Sequence, residues 1–286
     1  MNPDVAHFYH APSGTLSYVV SDPSSGSAVI IDPVLDFSAV SGRTDTAPAD
    51  EIIRYVQDHS LSIEWILETH AHADHLTSAP YLQSTLGGRI AIGEGIRKVQ
   101  AHFAPVFNLK APFVADGSQF DHLFSDGESF SIGELDARVM HTPGHTNDSV
   151  TYVIGNAAFV GDTVFMTDYG TARCDFPGGD AGLLYDSIQK LLSLPEDTIL
   201  YLCHDYPPGD RQVRADVSVA EQKSDNIHVG GDASKEDFVA LREGRDAGLN
   251  LPALIIPSIQ VNIRAGALPD SEDNGVSYIK IPLDQL

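Results

Sequence analysis

The chain has 286 residues, with 17 Lys and Arg against 40 Asp and Glu, a formal charge of −23. Such a surface repels nucleic acid and anionic membranes, so neither is expected as a partner. No apolar run approaches the roughly 18 residues that span a bilayer, the N-terminus lacks the basic and apolar regions of a signal peptide, and two cysteines set no disulfide framework, so a cytoplasmic location is expected.

Residues Val5–Tyr9, Leu16–Ser21 and Ala28–Asp32 read as short strands separated by Pro, Gly and Ser turns. Asp50 to His59 reads as an amphipathic helix with Ile52, Ile53 and Val56 on one side. A strand over Ile63–Thr69 follows, and a helix is expected over Leu76–Leu86, with His75 at its start and Gly87-Gly88 at its end. Arg89–Gly93 predicts a strand and Gly95–Phe103 a helix. Leu135–His141, Ser149–Ile154 and Ala158–Val160 predict strands in a β-rich middle section. Ala181–Leu192 predicts a helix with Leu183, Leu184, Ile188, Leu191 and Leu192 on one face, before a strand over Thr198–Leu202. Val213–Lys223 and Lys235–Ala247 read as helices, and Pro252–Leu268 as an irregular segment. This order suggests two sheets sandwiched between helices. Residues 1–208 are expected to form that domain. Residues 209–286 offer too few apolar groups for a core of their own and are expected to pack on it as an extension.

Thr69-His70-Ala71-His72-Ala73-Asp74-His75 places three imidazoles and a carboxylate within six residues. Three histidines and an aspartate this close are costly to bury as ordinary core groups, and they are the ligands that borderline divalent metals prefer. In extended chain His70, His72 and Asp74 share one parity and would converge on one side. His145 follows a sharp Pro-Gly turn in His141-Thr142-Pro143-Gly144-His145-Thr146. Asp162 ends the strand Phe159-Val160-Gly161-Asp162, and His204 ends Leu202-Cys203-His204-Asp205-Tyr206. Each of these residues lies on a loop after an apolar strand, where an α/β scaffold places its chemistry. Cys203 reads as a small buried hydrophobe. Cys174 stands beside Arg173, a cation able to lower its pKa and favour redox chemistry.

His-x-His-x-Asp-His, Thr-Pro-Gly-His-Thr, Gly-Asp and His-Asp-Tyr, in that order, resemble the motif set of the metallo-β-lactamase superfamily. The resemblance implies an αββα sandwich, class α/β, with metals at one edge. Gly170-Thr171-Ala172-Arg173-Cys174-Asp175-Phe176 is similar to the Gly-Arg-Thr-Asp-Phe segment of the persulfide dioxygenases, with Cys174 in place of the usual Thr. Pro257-Ser258-Ile259-Gln260-Val261-Asn262-Ile263-Arg264-Ala265-Gly266 resembles their bacterial branch. That branch implies one Fe(II) per chain held by His70, His145 and Asp162, with glutathione persulfide and O2 as substrates and a homodimer. His72, Asp74, His75, His204 and Tyr206 would then be supporting catalytic groups. Arg173, Arg211, Arg214 and Arg264 are the candidate binders of the glutathione carboxylates, although each also reads as an ordinary ion-pair arginine. The alternative is a thioester hydrolase resembling glyoxalase II. There two zinc or other divalent ions would use His70, His72 and His145, and Asp74, His75 and His204, with Asp162 bridging.

Overall fold

The computed structural model describes residues 2–231 and 233–285. The first half runs β1 (Asp4–His10), β2 (Thr15–Ser21), β3 (Ser27–Ile31), β4 (Val34–Ser38), β5 (Arg43–Asp45), α1 (Ala47–Asp58), β6 (Ser62–Leu67), β7 (Leu76–Thr77), α2 (Ala79–Leu86), β8 (Arg89–Gly93), α3 (Ile96–Val106) and β9 (His122–Phe124). The second runs β10 (Ser129–Ile132), β11 (Leu135–His141), β12 (Val150–Ile154), β13 (Ala157–Phe159), α4 (Ala181–Leu192), β14 (Ile199–Tyr201), β15 (Asp216–Ser218), α5 (Val219–Asp225), α6 (Lys235–Asp246) and α7 (Ile255–Asn262).

Two six-stranded sheets form, in the orders β1-β2-β3-β6-β8-β9 and β10-β11-β12-β13-β14-β15, with a small third sheet β5-β4-β7. Side chains alternate across β2 and β3, and this builds the layers. Tyr18, Val20, Val29 and Ile31 point between the large sheets, where they meet Val139, Tyr152 and Phe159. Val19 and Ile30 point the other way, into a core shared with Ile52 and Val56 of α1, Leu82 of α2 and Val99 of α3. Leu184, Ile188 and Leu191 of α4 cover the outer face of the second sheet with Phe238 of α6. The layers are therefore helix, sheet, sheet, helix, as expected for a sandwich.

Four expected features differ. Leu76 and Thr77 do not open a helix: they pair with Val34 and Leu35 as β7. Pro80, placed in the first turn of α2, sets the helix start there instead. His75 thus precedes a strand. Val213–Lys223 is not one helix. Asp216–Ser218 pairs with β14, and the Ser218 side chain then accepts the Glu221 N–H to cap α5. Pro252–Leu268 contains α7, whose Ile255, Ile259 and Ile263 enter the first core. A helix buried on nearly every side carries no polar face for periodicity to reveal. Leu183 faces solvent and is 46 % exposed, unlike its neighbours on α4.

Among the described residues no helix is long and apolar enough to cross a membrane.

Candidate metal centre

The loop after β6 leaves the sheet edge at Thr69 and is pinned from three directions. Asp32, just past β3, accepts the Thr69 N–H at 2.7 Å and its hydroxyl at 2.8 Å. Asp148 accepts the Ala71 N–H at 2.8 Å. From the far end of the chain, Asn262 of α7 donates its amide to the carbonyls of both His72 and His75, each at 2.8 Å. These bonds pair buried backbone groups that a sheet would otherwise satisfy.

The remaining groups arrive on two tight turns and one strand end. Gly144 has φ +136°, and a Cβ there would collide with the Leu184 backbone, so only glycine lets His145 approach α4 this closely. Gly161 has φ +54°, and a Cβ there would press on Thr69, so the same demand applies immediately before Asp162. His204 follows β14, where Thr15 bridges to it.

Hydrogen bonds select which ring nitrogen each histidine presents. His145 Nδ1 donates to the Arg173 carbonyl at 2.7 Å, leaving the Nε2 lone pair free. The Thr69 hydroxyl gives its proton to Asp32, so His70 Nδ1 donates to it at 3.1 Å and Nε2 is again free. Burial holds the His70 imidazole well below its ordinary pKa, in the neutral form that a ligand needs. These two rings and Asp162 place ligand atoms within 4.8 Å of one another.

His72 does not join that group. Its Nε2 faces Asp32 Oδ1 at 3.0 Å and Glu68 Oε2 at 3.4 Å, both carboxylates fully enclosed. Burial opposes a charge on His72, but Asp32 outweighs it and raises the affinity of the ring for a proton. Of the three side chains expected to converge, His72 and Asp74 come within ligand spacing of each other and of His75, whereas His70 joins His145 and Asp162. His75 Nδ1 meets Asp74 Oδ2 at 3.2 Å. Burial opposes ionisation of Asp74, yet His204 and His75 hold its carboxyl well below the usual range.

His72 Nδ1, His75 Nε2 and Asp162 Oδ1 are buried with no hydrogen-bond partner among the described residues. Leaving such atoms unpaired costs about 1–3 kcal/mol each. All three belong to groups with metal-ligand spacing, so the residues present fit a cation. The donor set of imidazole and carboxylate suits a borderline divalent ion.

A cleft of about 280 Å³ opens over Asp74, His145, Asp162 and His204. Phe165, Tyr169, Phe176 and Tyr206 form its aromatic wall, and Arg173, Arg242 and Arg245 its cationic one. The Tyr206 ring stacks on His204, with centroids 5.5 Å apart and planes at 10°. Arg173 is engaged by Asp175 through two bonds of 2.6 Å and by the Asn250 carbonyl at 2.7 Å. Arg211 is clamped between Asp168 and Asp205, each at 2.6 Å, and Arg214 pairs with Glu221. Arg264 lines a separate depression and lies over the Phe113 ring. Of the four arginines expected from sequence, only Arg173 borders the cleft. The other two in its wall come from α6. Arg242 is buried against Asp246 and the Thr171 carbonyl, whereas Arg245 is exposed and makes no ion pair among the described residues. Nothing in the pattern of a polar helix marks one arginine as facing a cleft, so only packing identifies them.

Cys174 turns inward. Burial pushes its thiol up to about 12, and Arg173, committed to Asp175, does not offset this. The thiol stays protonated at neutral pH and lacks the activation that redox chemistry needs. Cys203 is buried, its Sγ 3.7 Å from Asp32 Oδ2.

The Metallo-beta-lactamase superfamily model matches residues 10–204. A probable metallo-hydrolase of Burkholderia pseudomallei is 51% identical over 99% of both chains. Glyoxylase B2 of Dictyostelium discoideum is 50% identical over 98% of this chain and 96% of its own. The mitochondrial persulfide dioxygenase ETHE1 of Homo sapiens is 32% identical over 68% of this chain and 65% of its own. The crystal structure of ETHE1 from Myxococcus xanthus superposes with a TM-score of 0.73 at 28% identity, covering 92% of this chain and all of that one.

Proposed function

Since the chain belongs to the metallo-β-lactamase superfamily, we propose that it is an iron-dependent persulfide dioxygenase. In this reading glutathione persulfide, O2 and water give glutathione, sulfite and two protons. The observation that carries it is the composition of the cleft-side group: two imidazoles and one carboxylate, His70, His145 and Asp162, with His72 outside it. Two histidines and one carboxylate are the usual holders of non-haem Fe(II) in oxygenases. When bound, that ion supplies the redox chemistry that couples O2 to the outer sulfur. The names of the ETHE1 relatives point the same way.

The protein's own residues bind and orient. Arg245, which makes no ion pair among the described residues, offers its guanidinium to a glutathione carboxylate in a strongly negative chain. Phe165, Tyr169, Phe176 and Tyr206 enclose the sulfur end and exclude bulk water. The Arg173 carbonyl fixes the His145 ring. In this proposal Arg173 and Arg211 brace the wall through their ion pairs, Arg214 and Arg264 lie away from it, and none of the four binds substrate. A homodimer forms part of the proposal on the strength of the resemblance alone.

A second reading has its own support. His72 Nδ1 and His75 Nε2 are orphaned, and His72, Asp74 and His75 form another group of ligand spacing. A dinuclear thioester hydrolase would use both, and Glyoxylase B2 is a relative of similar length. Elemental analysis of anaerobically purified protein, paired with an oxygen electrode, separates the two. The dioxygenase gives about one iron per chain and takes up O2 with glutathione persulfide. Two metals per chain, with glutathione thioester cleaved and no O2 consumed, would overturn it.

A further inference from the structure

A row of side chains runs from the centre toward the surface through residues that line a second depression rather than the main cleft. Thr15, at the start of β2, is fully buried. Its hydroxyl lies 3.3 Å from His75 Nδ1, 3.4 Å from Asp74 Oδ2 and 3.5 Å from His204 Nδ1. Ser13 Oγ is 2.6 Å from the same hydroxyl. His10 Nδ1 is 2.7 Å from Ser13 Oγ, and His10 Nε2 is 3.2 Å from Asp36 Oδ1. The Asp36 side chain is 43% exposed, against 12% for His10. His10 also lines a second depression of about 270 Å³, bordered by Asp36, Asp74 and His75.

We propose that Thr15, Ser13, His10 and Asp36 form a proton exit from the centre to solvent. Hydroxyl and imidazole groups each donate and accept, so a row of them passes a proton without any group travelling. Outward, His75 takes a proton on its unpartnered Nε2 and gives its Nδ1 proton to Thr15, which gives its own to Ser13. Ser13 gives one to His10 Nδ1, and His10 Nε2 releases one to Asp36 and water. Each group gains one proton and loses one; the hydroxyls then rotate back and the rings turn over to restore their first tautomers. The second depression gives small bases direct access to the place that the His10 ring fills.

The inference rests on the proposed chemistry only through the release of protons. Persulfide oxidation releases two, and in that reading His75 and His204 hold no metal and are free to pass them on. The hydrogen bond between Ser13 and His10 is read in metal-free protein, so a failed oxygen assay alone does not decide the exit.

In weakly buffered solution His10→Ala lowers kcat roughly tenfold or more, leaves KM and bound metal unchanged, and recovers on adding imidazole. Ser13→Ala behaves likewise without recovery by imidazole, whereas Ser13→Thr, which keeps the hydroxyl, retains activity. The solvent deuterium isotope effect on kcat rises in His10→Ala. A readout independent of turnover uses metal-free protein labelled with ¹⁵N-histidine: Ser13→Ala moves the His10 Nδ1 signal. Full kcat in weakly buffered His10→Ala overturns the proposal. So does a loss that imidazole does not relieve while metal content is normal, and so does a His10 signal indifferent to Ser13→Ala.

Discussion

His70 and His72 stand two residues apart with ring centroids 4.1 Å apart, yet their partners are of opposite kinds. His70 leans on a hydroxyl and faces His145 and Asp162. His72 leans on two buried carboxylates and presents an orphaned Nδ1. Asp32 underlies both, since it takes the Thr69 hydroxyl with one oxygen and His72 with the other. A neutral acceptor leaves His70 an ordinary neutral ligand. A carboxylate makes His72 more basic and fixes its ring, so it serves as well in support of a neighbour as in holding an ion. One short motif thus supplies two chemically different sites, and the partner of each ring distinguishes them.

Metal content separates the two rings most strongly. His70→Ala, His145→Ala and Asp162→Ala should each abolish iron binding, whereas His72→Ala should weaken it by about 10–100-fold, the usual cost of losing a supporting group. Iron retained after dialysis is the measurement, and equal loss in His72→Ala would erase the distinction. Next is the shared support of the loop. Asn262→Ala strands the His72 and His75 carbonyls and the Thr77 N–H. It should cost on the order of 3 kcal/mol in urea unfolding, and lower metal affinity on both sides of the loop alike. The smallest effect tests the far wall. Burial, with Arg242 and Arg245 adding to it, lowers His228 to about 4. The neutral ring accepts the Thr171 N–H at 3.0 Å. The unfolded chain binds a proton here below roughly pH 6.5 while the folded one does not. This contribution to stability is complete above that pH and declines as pH falls toward about 4. In His228→Gln the urea midpoint should lose that part of its pH slope, while the metal centre is unchanged.

Much of this was legible because local and tertiary demands agreed. β8, β11 and α4 lie where alternation and helical spacing put them. The Pro-Gly turn before His145 and the Gly-Asp after β13 announce strained backbone beside chemistry, and the structure uses both glycines for close approach. Elements made by long-range pairing carry no such local signal. Leu76 and Thr77 look helical until Val34 and Leu35 are beside them. Asp216–Ser218 is a strand only because β14 offers an edge. The cleft arginines failed for a related reason. A guanidinium in sequence does not reveal whether a carboxylate waits for it, as Asp168 and Asp205 do for Arg211.

The sandwich, the superfamily and the residues able to ligate a metal are legible from the chain alone. Ligand chemistry is a property of side-chain type, and strand alternation is a property of the local chain. Only the tertiary structure decided which nitrogen of each ring is free, that Arg245 rather than Arg211, Arg214 or Arg264 reaches the cleft, and that Thr15, Ser13, His10 and Asp36 stand in a row. These depend on contacts between distant parts of the chain, as where Asn262 holds the carbonyls of His72 and His75, 190 and 187 residues away, at 2.8 Å. Separations of that length are set by packing and leave no local trace.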